Sequence, residues 1–399
     1  MSAAPHQAQA SEGHVSERAA SAAFLFGNFV IGVGVMIVPG MLNQLAESLE
    51  VSVPTAGQLL GLAALVMCIG APLTAAFTSH IDRRRLLLFS MGIYCVGHAA
   101  CAFAPDYATL AVLRPMSVLG AAIFTPQAAA TIGLMVPPER RGHALTIIFL
   151  GWSLASVAAM PLGSLIAGHL HWRGGFVLVA VLSAIAAVWV ARVVPRGLTV
   201  PKLSSASWLQ VVRSRRLTML LGATLVMASG QFILMAYIAP SLRESTGASP
   251  TVLAAFMAVN GVFGVIGNTR LVRRIGRTGP DRAANEAMVS MLIGMLLWSL
   301  AASFALPWPV IVLSMAFWGF GAFASNSAQQ ARLAGSAPGL ASASIALNSA
   351  GMYAGQTIGA GVGGLAIAAA GYTLLGWLGA AVLAAGLWLS IRADRLPHR

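Results

Sequence analysis

Arg114 is the side chain in this sequence with the most chemistry to offer. It stands in the apolar run LAVLRPMSVLGAAIFTPQAAA. An Arg at the centre of a membrane helix costs on the order of 3 kcal/mol on insertion scales, so its presence there is by default functional. The alternative is that it lies near one membrane surface and snorkels to it. Thr125 falls on the same helical face as Arg114, and Gln127 falls nearly opposite. Amides form the second set: Asn28, Gln231, Asn260, Asn326, Asn348 and Gln356 all lie inside apolar runs. They either line a polar cavity or bond neighbouring helices, since an amide in lipid needs a partner. His98 is the one further titratable group of interest. It either titrates near neutral pH or stays neutral and bonds a backbone group.

Acids are scarce. The eleven Asp and Glu residues all lie outside the middles of the apolar runs. Asp82 and Glu139 stand beside basic residues in two polar turns, with Arg83, Arg84, Arg140 and Arg141. A water-facing ion pair is worth about 0–1 kcal/mol, so a latch built from these six would break and re-form easily. Cys68, Cys95 and Cys101 sit in apolar runs with no CxxC or Cys/His grouping, which gives no metal or redox site and no cofactor. There is no GxxxxGK[ST] phosphate loop and no HExxH pair, so direct use of ATP and zinc hydrolase chemistry lack their residues.

The elements that hold these side chains follow from composition. Hydrophobic residues make up 58% of the chain and charged residues 9%, against roughly 25% charged in a soluble domain. So few charges cannot cover a water-facing surface, and the bilayer must. The net charge of +13 is scattered between apolar runs rather than gathered on one face, so nucleic acid is not the partner. A membrane helix needs about 20 apolar residues. Twelve stretches qualify: 20–44, 54–79, 84–104, 107–135, 141–168, 172–194, 216–242, 250–272, 284–305, 307–331, 339–369 and 371–392. With the N-terminus inside, Arg173 and Arg243 fall outside and Arg114 within a span, leaving 21 of the 24 Lys and Arg residues inside. That bias predicts cytoplasmic termini.

The spans divide into residues 19–194 and 216–394, joined by a linker at 195–215 and preceded by a polar tail, 1–18, expected to be disordered. Within the linker Trp208, Val211 and Val212 allow a short interfacial helix, with a plain linker as the alternative. The halves repeat. Arg83–Arg85 after the second span answers Arg273–Arg277 after the eighth, and Pro138 answers Pro338. Met160-Pro161-Leu162-Gly163 answers the glycines of 359–364. Such repeats point to a transporter with its site between two halves. Pro161 and Gly163 are expected at the interface between them.

The stretch Ala71-Pro72-Leu73 with Arg83 to Leu88, the Arg114 segment, and GWSLASVAAMPLG followed by His171-Trp172-Arg173 together resemble the major facilitator superfamily. More narrowly, they resemble its bacterial efflux branch of arabinose- and purine-efflux-like permeases. Departures exist: the usual loop Asp falls at Ser79, the usual Gly at Asp82, and Asn28 occupies the span in which many relatives carry a protonatable carboxylate. The resemblance implies an all-α membrane protein of twelve helices in two pseudo-symmetric bundles, multi-pass in a bacterial inner membrane and monomeric. Its expected function is export of a small drug-, sugar- or nucleoside-like solute by alternating access, with exchange for protons as one route. Uptake or facilitated passage by the same fold is the alternative.

Overall fold

The computed structural model describes residues 4–78, 80–137, 140–199 and 205–396. It is all helix, with no strand among the described residues. In chain order the helices are α1 (Ala4–Gly40), α2 (Leu42–Ser48), α3 (Val53–Phe77), α4 (Arg83–Ala102), α5 (Tyr107–Met135), α6 (Arg141–His169), α7 (Trp172–Val193), α8 (Ser205–Arg213), α9 (Arg215–Met235), α10 (Ile238–Thr246), α11 (Pro250–Thr278), α12 (Pro280–Phe304), α13 (Trp308–Ser336), α14 (Ala341–Ala370) and α15 (Thr373–Asp394). Eleven of them are long and apolar enough to cross a membrane. The exception among the long helices is α14, whose 30 residues include the glycines and amides that lower its hydropathy.

Local chemistry sets the boundaries. Asp82 and Asp106 cap α4 and α5, accepting from the N–H groups of Arg85 at 3.0 Å and Thr109 at 2.8 Å, and Ser52 caps α3. Each such cap satisfies an amide that the first helical turn leaves without a partner. Gly371, at φ 71°, ends α14 in a conformation that L side chains rarely adopt. Pro72, Pro115, Pro126 and Pro161 lie within helices, as membrane helices tolerate when neighbouring groups can re-satisfy the freed carbonyls.

The structure bears on three expectations. Helix α1 begins at Ala4, ahead of the span expected from residue 20; Ala, Gln and Glu favour helix and Pro5 sits in the first turn, where proline is tolerated. The first span stops at Gly40, and α2 follows as a separate short helix. Its counterpart is α10, which follows a break after Met235. The linker does form a helix, α8, and Val211 on it is buried among Leu217, Leu220 and Leu333.

The internal repeat is visible in the packing. Within the first half α1 packs on α6 and α7, α3 on α5, and α4 on α5 and α7. Within the second, α9 packs on α14 and α15, α11 on α13, and α12 on α13 and α15. Glycine fixes the closest of these contacts. A Cβ at Gly151 or Gly163 on α6 would collide with the carbonyls of Leu25 and Ile37 on α1. At Gly363 on α14 it would lie 2.5 Å from the carbonyl of Ile233 on α9. Gly163 to Gly363 is a step of 200 residues, and Ile37 to Ile233 a step of 196. Outward faces carry Phe77, Phe89, Phe103, Leu170 and Leu365, the apolar cover that a bilayer requires.

Candidate functional site

The amides gather into two clusters related by the repeat. In the first half Asn28 on α1 donates to the carbonyl of Ile148 at 3.2 Å and accepts from Thr125 on α5 at 2.8 Å. Trp152 on α6 points its indole N–H at the Thr125 hydroxyl, 3.4 Å away. In the second half Asn348 on α14 accepts from Thr224 on α9 at 2.7 Å and donates to Asn326 on α13 at 3.2 Å. Asn28 and Thr224 are separated by the same 196 residues, and Ile148 and Asn348 by the same 200. Each cluster therefore joins the first, fourth and fifth long helices of its half. Asn28 and Asn348 are fully buried, whereas Thr125, Trp152 and Asn326 are half-buried. The deep amides hold the shallower groups in place.

The other expected cavity residues divide. Asn260 is buried on α11 and donates to the Met315 carbonyl of α13, so it ties two helices of one half. Gln356 is buried and Gln231 half-buried. Arg114 sits inside the first half, between α1, α4 and α7. It bonds His98 Nε2 at 2.9 Å and the Gly34 carbonyl at 2.7 Å, and lies 5.9 Å from the Phe176 ring centroid. Its Nε is buried with no hydrogen-bond partner among the described residues. His98 Nδ1 lies 2.7 Å from the Tyr94 carbonyl, which can only accept. Nε2 must then accept from Arg114, so the imidazole is neutral in this arrangement. Arg114 is buried rather than snorkelling and meets no acid among the described residues; it grips a carbonyl of α1.

The helix ends nearest α8 hold the larger charged clusters. In the first half Asp82 turns one carboxylate oxygen to the cap and the other to the Gly197 N–H at 2.5 Å, while Arg83 N–H donates to the Leu198 carbonyl at 2.9 Å. Asp82 thus binds the start of the linker. Partial burial would raise its pKa, but the N–H groups of Arg85 and Gly197 and the charge of Arg85 outweigh that and hold it below the ordinary carboxylate value. Arg83 donates to Gln127 on α5 and to the Thr78 carbonyl, Arg84 to the Ala191 carbonyl on α7, and Arg140 pairs with Glu17 at 3.0 Å. Arg141 is exposed, and Glu139 lies outside the described residues.

In the second half Arg332, 0% exposed, pairs with Asp281 at 2.7 Å and with Asp394, and bonds Gln329 and Ser390. Arg216 adds a second cation on Asp281 at 3.3 Å. Sequence reasoning missed this group. Its signal in the sequence was slight: Asp281, Arg332 and Asp394 are charged residues at the ends of three apolar runs, and the packing of α12 on both α13 and α15 brings them together.

At the opposite end, which carries α2 and α10, the halves meet. Here α3 packs on α14 and α6 on α11. Thr357 donates to the Gly61 carbonyl at 3.1 Å, Ser164 to the Pro250 carbonyl at 2.9 Å, and Glu47 pairs with Arg243 at 2.5 Å. Gly163 is not part of this interface, since it faces Ile37 of its own half. The α6 face that meets α11 carries Ser156, Val157, Ser164 and Gly168, and Pro161 shares that face by helical spacing.

Comparison with known proteins agrees with this architecture. The family model described as Major Facilitator Superfamily matches residues 24–285. The chain is 30% identical to the "Inner membrane transport protein YdhP" of Escherichia coli (strain K12), over 94% of this chain and 95% of that one. It is 28% identical to a "Probable sugar efflux transporter" of Helicobacter acinonychis (strain Sheeba), covering 92% and 93%. It is also 28% identical to the "Uncharacterized MFS-type transporter YtbD" of Bacillus subtilis (strain 168), covering 88% and 89%. The chain belongs to the Major Facilitator Superfamily.

Proposed function

We propose, from that membership, that the chain is a secondary transporter exporting a small organic solute by alternating access. Twelve helices cross a bacterial inner membrane, as two halves at 19–194 and 216–394 that rock about a shared site. The α8 end, rich in Arg, is the cytoplasmic one and holds both termini. The observation that carries this reading is the pair of matched polar clusters, Asn28–Thr125–Trp152 and Thr224–Asn348–Asn326. They put hydrogen-bonding groups on both halves at equivalent positions, which is what a carrier needs to hold one solute from either side.

Hydroxyl, amide and indole groups suit an uncharged or weakly anionic solute of sugar, nucleoside or drug size. The sugar efflux name of the Helicobacter relative supports the sugar class. Gln231 and Gln356 extend the lining, and Asn260 braces it. Arg114 acts through α1, whose Gly34 carbonyl it holds. Near α8, the basic turns containing Arg83, Arg84, Arg140 and Arg141, with Asp82 and Glu139, form the cytoplasmic gate. Solute counterflow in proteoliposomes, run on a panel of pentoses, hexoses and nucleosides, tests the reading. A carrier accelerates labelled exchange when unlabelled solute is on the far side. Flux without that acceleration would mean a channel and sink the proposal.

A second reading, facilitated passage without protons, draws on the neutral His98 beside Arg114. A pH jump across the same vesicles separates the two: solute accumulation driven by the jump supports proton exchange, and equilibration alone supports the facilitator.

A further inference from the structure

Tyr237 stands in the turn between α9 and α10 and is 0% exposed. Its hydroxyl donates to the carbonyl of Ala360 on α14, 2.7 Å away. Gly363 and Gly364 of the same helix border the ring, so that a Cβ on either would come within 2.7–2.8 Å of it. All of these groups belong to the second half. On its other side the ring meets Gly57 of α3, in the first half. A Cβ on Gly57 would collide with three of the tyrosine's atoms, the hydroxyl oxygen among them. The Ala360 bond and the close approach of α14 at Gly363 and Gly364 hold the ring against Gly57. Gly57 is therefore a socket in one half for a side chain rigidly mounted on the other.

Besides the glycine-lined approach of α6 to α11, two nearby contacts between the halves are weaker in kind. Glu47 and Arg243 are 62% and 51% exposed, so water screens their attraction. Thr357 to Gly61 is a single hydrogen bond. The close steric fit of a buried aromatic ring weakens steeply as the halves part, a gap of about 0.5–1 Å already forfeiting a quarter to a half of the contact.

We propose that Tyr237 and its Gly57 socket form the seal of the gate at the α2–α10 end, closed in this structure, and that opening to this side requires α3 to withdraw from the ring. The seal rests on the reading that the halves rock, and it adds the contact that decides when this end is shut. Spin labels on Phe103→Cys and Phe304→Cys, in a chain lacking Cys68, Cys95 and Cys101, report the gap at this end; both positions are well exposed at helix ends. A second pair on Leu134→Cys and Arg277→Cys reports the α8 end.

In nanodiscs the unaltered socket gives a short distance for the first pair. Gly57→Ala and Gly57→Val lengthen it, Val more. Adding Tyr237→Ala to Gly57→Val restores the short distance, because the side chain that blocked closure is gone. An unchanged distance in Gly57→Val overturns the seal, and so does a distance that stays long in the double variant. The α8-end pair separates this from the rocking reading. A gap that lengthens at one end while shortening at the other supports both. A gap that lengthens at the α2–α10 end with the α8 end unmoved leaves the seal standing and overturns rocking.

Discussion

The two halves share a backbone frame and bury their cations in opposite ways. In the first half the described hydrogen bonds of Arg114 go to neutral groups, His98 and the Gly34 carbonyl, deep among α1, α4 and α7. In the second, Arg332 lies between Asp281 and Asp394 at the end of the bundle, where those carboxylates keep side-chain exposures of 32% and 25%. Position accounts for the difference. A carboxylate near water keeps part of its hydration, whereas one placed beside Arg114 would lose it all, and the two charges would repay that only with near-ideal geometry. The frame itself is indifferent to this choice. It is fixed by helices approaching through glycine at Gly163 and Gly363, and any polar set that satisfies itself can be mounted on it.

The largest test of that comparison is to remove both acids at once. Asp281→Asn with Asp394→Asn leaves Arg332 buried without a carboxylate and should cost about 3–5 kcal/mol, read by thermal unfolding in detergent. A loss no larger than that of a surface pair would mean that the second half tolerates a neutral shell as the first does. Next come the glycines that make the halves alike. Gly163→Val and Gly363→Val should each cost about 1–3 kcal/mol by overpacking, and by similar amounts; a clear inequality would break the equivalence of the two frames.

The polar clusters come third. Asn28→Leu and Asn348→Leu each remove interhelical hydrogen bonds worth under about 2 kcal/mol, yet both should slow counterflow, because Thr125 and Asn326 lose their supports. Counterflow unchanged in both would detach the clusters from the site.

The smallest effect concerns Asp82. Its pKa is depressed in the folded chain, so its contribution is complete above the unfolded value of about 3.9 and is lost as pH falls through the folded one. Protection of the Gly197 amide against hydrogen exchange should stay constant from pH 8 to pH 5 and fall only below about pH 4. Loss of protection near neutral pH would show that another group holds the linker.

Much of this was legible in the sequence. The spans at 107–135 and 172–194 coincide with α5 and α7 to within a residue, because an apolar run of membrane length bounded by Pro, Asp or basic residues has few alternatives. The answering glycines near 160 and 360 are the contacts that pack α6 on α1 and α14 on α9. The polar residues were legible only as a set. Asn28, Asn326 and Asn348 were recognisable as amides needing partners, but Thr125, Trp152 and Thr224 were not identifiable as those partners. Arg114 carried the clearest signal and went to the interior of one half, and Gly163 to α1 rather than to the interface.

What the sequence determined by itself is whatever depends on neighbours along the chain: helix, span length, charge bias, the repeat, and the superfamily that these imply. What the tertiary structure alone decided is which faces meet. A helix's face is known from a period of 3.6 residues, but its rotation and approach are set by every helix packed against it. A hydrogen bond or a ring in a socket forms or fails within a fraction of an ångström. The meeting of Tyr237 with Gly57, 180 residues away, is decided at that scale.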